Sequence, residues 1–436
     1  MDALLSGDPI DRLIAGTLPD PDGAGTLAVR TRKVVIGAGV VASLGTLLGD
    51  LGLPRPLVLV ADPATWQAAG AAAARALAGG GEVRRVLLGE RPHPDAATLE
   101  RVQALSEGAG SLLAVGSGTI NDLTRMVAAR TGRPYAVLGT ALSMNGYGSQ
   151  NAAITIDGHK KTLPAVPATA ILLDLDVCAA APVRLTRAGL GDSICRPTAQ
   201  SDWLLSHLLL GTAYRTAPFR LLEADEPVLL ERAAGLVAGD RRALAALART
   251  LVLSGFGMAI CGSSAPASQA EHLVSHWLDM LGDPAWPTAF HGEQIAVTTL
   301  TIAAIQAAML AGPAPVLGAD PADRAALVAT YGAGLAAECA AELDAKRLDA
   351  AATRALNARL ARDWPAITAR LREVHVPPER LRAVLIAAGA PTTAAELGVP
   401  AEAYRRAVRH AREIRDRFTI LDLAALAGRL DGLLPA

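Results

Sequence analysis

The sequence predicts an α/β N-terminal dinucleotide-binding domain with a mostly parallel sheet, followed by an all-α C-terminal domain. Three observations predict it. Short apolar runs alternate with helical stretches over the first ~180 residues, the rhythm of a parallel sheet covered by helices. After about Pro182 the strand signals stop, and alanine- and leucine-rich amphipathic stretches follow. The composition, 51% hydrophobic and 19% charged over 436 residues, suits two folded domains with sizeable cores. The boundary is placed to give domains 1–181 and 182–436, with the site expected in a cleft where they meet.

The candidate strands are, in order, "KVVIG" (33–37), "PLVLVA" (56–61), "VRRVLLG" (83–89), "SLLAVG" (111–116), "YAVLGT" (135–140) and "AILLDLD" (170–176). Between them, "WQAAGAAAARALAGG" and "INDLTRMVAARTG" read as helices, the second ending in a glycine that suits a helix C-terminus. The most apolar stretch, "AILLDLDVCAAAPV", contains Asp174 and Asp176 and reads as a buried strand, not a membrane span. In the second half, "RAALVATYGAGLAAECAAELDAKRL" and "AYRRAVRHAREIRDRFTILDLAALAG" repeat apolar residues at three- and four-residue steps in a helix-favouring alanine background.

Several function classes are excluded by the same numbers. The net charge is −1 with no basic block, so neither nucleic acid nor a membrane surface is expected as a partner. The start, "MDALLSGDPIDRL", lacks the basic region and long apolar core of a signal peptide. Cys178, Cys195, Cys261 and Cys339 show no CxxC spacing and make no disulfide framework. A soluble cytoplasmic protein is expected.

Two glycine-rich stretches follow predicted strands. "GAGVVA" (37–42) mimics a dinucleotide fingerprint, and Asp62 lies about 25 residues on, near where a ribose-binding acid sits. "VGSGTINDLTR" (115–125) also turns from strand to helix. Glycine lets a phosphate approach the backbone, and a helix N-terminus offers unpaired N–H groups to it. Each loop also fits a plain strand-to-helix turn, and Asp62 also fits a helix N-cap. Two such loops in one sheet favour a dinucleotide.

Of eight histidines, His272, His276 and His291 fall close together in the sequence. His272 and His276 are four apart, so on a helix they share a face. Asp192, in "GLGDSICR", is expected at a helix start. Three such ligands around an open position hold a divalent ion that polarises a hydroxyl or carbonyl. The spacing equally allows a capping aspartate and histidines hydrogen-bonded inside a helical domain.

The ordered stretches "GSGTIND", "GTALSMNGYGS", "GHKKTLPAVPATAILLDLDV", "AGLGDSI", "SDWLLSH", "PASQAEHLVSH", "HGEQIAV" and "IRDRFTILDL" resemble the glycerol-1-phosphate dehydrogenases. These are a branch of the iron-containing alcohol dehydrogenase and dehydroquinate synthase superfamily. The resemblance runs from about Arg32 to about Leu423 and is closest to bacterial members with a similar "IRDR" segment. It implies Asp192, His272 and His291 as ligands of one divalent ion (Zn, Ni or Fe), with His276 facing substrate. It implies pyrophosphate on Gly118, Thr119, Ile120, Asn121 and Asp122. Thr140, Ala141, Leu142, Ser143 and Ser149 would line the nicotinamide side of NAD or NADP, with Asp62 by the adenosine ribose. "GAGVVA" then becomes a neighbouring loop. A homo-oligomer, dimer or larger, is also expected.

Departures gather at the substrate side. Asn145 stands where the family usually has an aspartate that contacts substrate, so an acceptor is kept and the charge lost. Ala265 replaces an arginine, Gln269 a glycine, and Arg196-Pro197 a pair that usually ends in tyrosine. Lys160 and Lys161 remain available to a phosphate, or are a surface-turn pair. The implied reaction is reversible hydride transfer between a polyol phosphate and its ketone, sn-glycerol 1-phosphate and dihydroxyacetone phosphate. Asp192, His276 and Asn145 are its candidate catalytic residues. The alternatives are a dehydrogenase with a retuned pocket, a sugar-phosphate cyclase of the dehydroquinate synthase kind, and a silent binding protein.

Overall fold

All six expected strands form one sheet. In the computed structural model, which describes residues 7–156, 159–320 and 323–435, they are β3 (Lys33–Gly37), β4 (Leu57–Ala61), β5 (Val83–Leu87), β6 (Ser111–Gly116), β7 (Tyr135–Gly139) and β10 (Ala170–Asp174). The first six residues of the "MDALLSGDPIDRL" start and the side chain of Lys160 lie outside the described set. Two further pairs are antiparallel: β1 (Leu18–Pro19) with β2 (Thr26–Leu27), and β8 (Asn151–Ile156) with β9 (His159–Pro164).

The main sheet has the order β3-β10-β7-β6-β4-β5, and every pairing in it is parallel. Strands β4, β6, β7 and β10 are buried along their whole length. That is why they read as unbroken apolar runs: helices cover both faces of a parallel sheet, so neither face needs polar residues. Leu57, Leu59, Leu113, Val115, Leu138 and Leu172 pack with Leu44, Leu48 and Leu77 into one core. Each such side chain contributes about 1.5–3 kcal/mol by leaving water.

The chain divides into two compact units, Met1–Ser193 with Thr216–Ser263, and Ile194–Arg215 with Ser264–Ala436. This differs from a single boundary at 181/182, because the long helix Arg241–Cys261 belongs with the sheet. Its Gly255 meets Gly148 in the short turn Asn145–Gly148, where a Cβ on Gly255 would lie 2.8 Å from the Gly148 Cα. Only glycines allow that approach, so the helix is keyed to the loop after β7.

The second unit is helical. Leu273, Val274, Trp277, Ile302, Ile305, Leu360, Leu371, Val408 and Leu421 form its core. Within it Arg412 pairs with Asp320 and Asp422, and Lys346 with Asp422, all four largely buried. Two helices, Arg241–Cys261 and His291–Ala311, are long and apolar enough to cross a membrane, yet 67% of the most apolar window of each is buried inside the protein. They are apolar because they are core helices.

Candidate active site

In the sheet unit, register brings two loops together. Gly116 of β6 pairs with Gly139 of β7, so the segments leaving both strands start side by side at their carboxyl ends. Ligands of open α/β sheets bind at such ends. Ser117 and Ser143 share a hydrogen bond between these segments. The helix Gly118–Thr131 begins directly after Ser117, and its first internal bond runs from the Asn121 N–H to the Ser117 carbonyl at 2.9 Å. The N–H groups of Gly118, Thr119 and Ile120 therefore stand outside the helix's own ladder, as an anion site requires.

The side chains next to that turn are occupied by the fold. Ile120 and Asn121 are buried, and Ile120 packs back onto Gly116. Asp122 accepts from the Ala153 N–H of β8 at 3.1 Å and pairs with Arg125 at 3.4 Å. Arg125, fully buried, donates to the Tyr135 hydroxyl (2.7 Å) and to the carbonyls of Asn151 (2.6 Å), Gly146 (2.5 Å) and Tyr147 (3.2 Å). Of the expected nicotinamide-side residues, Thr140, Ala141, Leu142 and Ser149 are buried, and Ser143 is half-buried. Tyr147 braces this loop by donating to the Ala141 carbonyl at 2.7 Å. Asp62 caps the short helix Pro63–Thr65: its Oδ1 accepts the Thr65 N–H at 2.8 Å, while the Thr65 hydroxyl accepts the Asp62 N–H at 3.0 Å.

Asp192 is corrected in place. It does not start a helix but lies in the last turn of Val183–Ile194, and its side chain is buried. The preceding Gly189 is not a break. A Cβ there would overlap the Leu142 carbonyl, so glycine serves close packing inside a continuous helix. Asp192 Oδ2 accepts the Asn145 N–H at 2.7 Å. The residue where the family motif departs is thus tied by its backbone to the candidate ligand.

In the helical unit the three histidines converge. His272 and His276 lie on the helix Ala270–Leu281, and His291 opens the helix His291–Ala311. The ring centroids of His272 and His291 are 5.1 Å apart, and His276 lies 6.0 Å from His272 and 6.1 Å from His291. The start of the second helix is fixed by Glu293, which accepts the Phe290 N–H at 2.7 Å. His272 Nδ1 lies 2.9 Å from Glu271 Oε1, so the carboxylate fixes the Nδ1 side of the ring. His291 Nδ1 has a looser neighbour, Ser275 Oγ at 3.5 Å. Two imidazoles in this spacing fit the nitrogen half of a mixed N/O divalent site.

Three groups escaped the sequence reading. Glu271, fully buried, sits directly before His272, a spacing that carries no periodic signal. Arg125 is an isolated cation in a helical stretch and carries no sequence signal of burial. Asp202, of the "SDWLLSH" motif, accepts from Gln306 Nε2 (2.8 Å) and the Ile420 (3.1 Å) and Ala270 (3.3 Å) N–H groups. Burial, with the Glu271 carboxylate nearby, pushes its carboxyl up to about 8 despite those donors. Two departures form one feature, since Gln269 Nε2 donates to the Ala265 carbonyl at 2.9 Å. Arg196 reaches Gln200 at 2.6 Å within its own helix. Arg417, of the "IRDR" segment, donates to Ser264 Oγ at 2.7 Å and to the Ser268 carbonyl.

A family model described as iron-containing alcohol dehydrogenase matches residues 35–182. The chain is 32% identical over 274 residues to a glycerol-1-phosphate dehydrogenase [NAD(P)+] of Thermococcus kodakarensis, covering 62% of this chain and 77% of that one. It is 31% identical over 283 residues to the enzyme of that name from Bacillus velezensis, covering 63% and 72%. Among solved structures, a probable glycerol dehydrogenase from Sinorhizobium meliloti 1021 matches with a TM-score of 0.60 at 18% identity, over 92% of this chain and 96% of that one. At that identity the likeness speaks to the fold alone.

Proposed function

The chain belongs to the glycerol-1-phosphate dehydrogenase family, among the iron-containing alcohol dehydrogenases, and from that premise we propose that it interconverts sn-glycerol 1-phosphate and dihydroxyacetone phosphate with NAD(P)(H). The observation that carries this reading is the set of converging imidazoles with a firmly held His272. A silent binding protein has no need of it. The names of the relatives favour a dehydrogenase over a cyclase.

His272 and His291 would hold one divalent ion, with Asp192 as the carboxylate ligand. When bound, such an ion polarises the substrate's carbonyl or hydroxyl oxygen, and a nicotinamide cofactor supplies or accepts the hydride. The N–H groups of Gly118, Thr119 and Ile120 would receive the cofactor's pyrophosphate, with Ser117 and Ser143 beside them. Thr140, Ala141, Leu142 and Ser149 contribute through backbone and small polar groups, and Asp62 through the ribose. His276, half-buried and beside both other rings, orients a substrate hydroxyl or carries a proton to it. The enzyme would act on its small-molecule substrate in the cytoplasm, as a homo-oligomer.

A second reading, a retuned substrate pocket, is favoured by Asn145, whose N–H binds Asp192 while its side chain lacks the family's charge. Steady-state assay of dihydroxyacetone phosphate with NADH and NADPH separates the two. Efficient turnover by the wild type, little changed in Asn145→Asp, supports the plain family reaction. Under the retuned pocket wild-type turnover is poor, and Asn145→Asp raises it about ten- to a hundred-fold, the worth of one good buried contact. No reduction of dihydroxyacetone phosphate by either form would overturn the proposed reaction.

A further inference from the structure

The first turn of the helix Ala270–Leu281 carries a carboxylate in an unusual position. Residues one apart on a helix point about 100° from each other and do not normally meet. Glu271 and His272 nevertheless do, because Glu271 bends back over the helix start. Its Oε1 accepts the Gln269 N–H at 2.8 Å and lies 2.9 Å from His272 Nδ1. Glu271 is 0% exposed, and its Oε2 is buried without a hydrogen-bond partner. Among the described residues no lysine or arginine pairs with it, and its close side-chain neighbour is the His272 ring.

A capping role alone does not account for this arrangement. An exposed aspartate or serine caps a helix without losing hydration, whereas a buried carboxylate carries a desolvation cost of several kcal/mol. The added feature bought by burial here is a fixed imidazole. A carboxylate on Nδ1 can be satisfied only by Nδ1–H, and this confines the lone pair to Nε2. Outer carboxylates of this kind also raise the basicity of a histidine ligand.

We propose that Glu271 is a positioning residue for the metal centre, holding His272 as its Nδ1–H tautomer so that Nε2 is the atom presented to the metal. The proposal rests on the ion assigned above to His272, His291 and Asp192. It makes His272 the anchor of the centre.

The test uses the full-length protein, stripped by a chelator and titrated with Zn²⁺ against a chromophoric competitor. Glu271→Gln keeps an acceptor but loses the charge, and Glu271→Ala loses both. Zinc affinity is expected to fall about 10–100-fold in Glu271→Gln and at least as far in Glu271→Ala. Circular dichroism checks that each variant is folded. A second readout needs no variant at position 271: nitrogen NMR of metal-free wild type labelled at histidine, with the His272 signals identified by their loss in His272→Ala. The Nδ1–H tautomer is expected. Affinity within threefold of wild type in both variants, or an Nε2–H tautomer in the wild type, overturns the proposal while leaving the metal reading intact. A wild type that takes up no zinc removes the metal reading, and the proposal with it.

Discussion

Arg125 in the sheet unit and His272 in the helical unit are both buried and both hydrogen-bonded, but they divide their polar atoms differently. The Arg125 guanidinium is enclosed by one hydroxyl, one carboxylate and three backbone carbonyls. His272 is held at one ring nitrogen by the Glu271 carboxylate, and its ring stands beside two further imidazoles. The glycine loop therefore offers a cofactor little but backbone N–H groups and small hydroxyls, because its charges are already engaged in holding β8 and the turn Asn145–Gly148. The helical unit offers side-chain nitrogen. A substitution in the first region should act through the fold, and one in the second through the chemistry.

His272→Ala is the largest expected break in that contrast. Loss of a proposed metal ligand should lower bound metal from about one ion per chain to near zero and activity by roughly 1,000-fold or more. NAD(H) binding, measured by fluorescence titration, should stay within about threefold, because the proposed cofactor residues lie in the other unit. Full metal occupancy in this variant would remove His272 from the ligand set.

Arg125→Met comes next and reverses the pattern. It strips partners from the Gly146, Tyr147 and Asn151 carbonyls and from the Tyr135 hydroxyl, and leaves Asp122 without its cation. Breaking a buried charged network by removing one member costs about 3–5 kcal/mol. Urea unfolding should show that loss, while metal content of the folded fraction is retained. A stability change below ~1 kcal/mol would mean that the loop is held by Tyr147 and the Gly148–Gly255 contact instead.

The same contrast explains what could be read from the sequence. The six sheet strands were legible because buried parallel strands are continuous apolar runs. The antiparallel pair β8–β9 leaves a fainter trace, because "NAAITI" is a weaker apolar run than the core strands. The helix start expected at Asp192 is absent because Val183–Ile194 runs on through Gly189, which marks the close approach of Leu142. The histidines were legible through spacing and family motif together. Glu271 was not, since contact between adjacent helix residues depends on how the chain enters the helix and leaves no periodic trace.

The smallest expected effect concerns Asp62, where fold and chemistry compete for one carboxylate. Its Oδ1 already accepts the Thr65 N–H in a reciprocal cap, the arrangement that a plain N-terminal aspartate makes. A carboxylate has a second oxygen, and that one can still accept from a ribose hydroxyl and repel a 2′-phosphate. Asp62→Ala should thus do two things. Loss of the cap should cost about 0.5–2 kcal/mol in unfolding free energy. Loss of the charge should shift the kcat/KM ratio of NADH to NADPH toward NADPH, by about 1 kcal/mol or some fivefold, the scale of one exposed charge contact. Asp62→Asn separates the effects, because asparagine caps about as well and lacks the charge. It should keep the stability of the wild type and still show the cofactor shift. If Asp62→Asn and Asp62→Ala both leave the cofactor ratio unmoved while only Asp62→Ala loses stability, then Asp62 is a helix cap alone. The one charged side chain left among the expected cofactor contacts would then be Asp122, which is engaged with Arg125 and the Ala153 N–H.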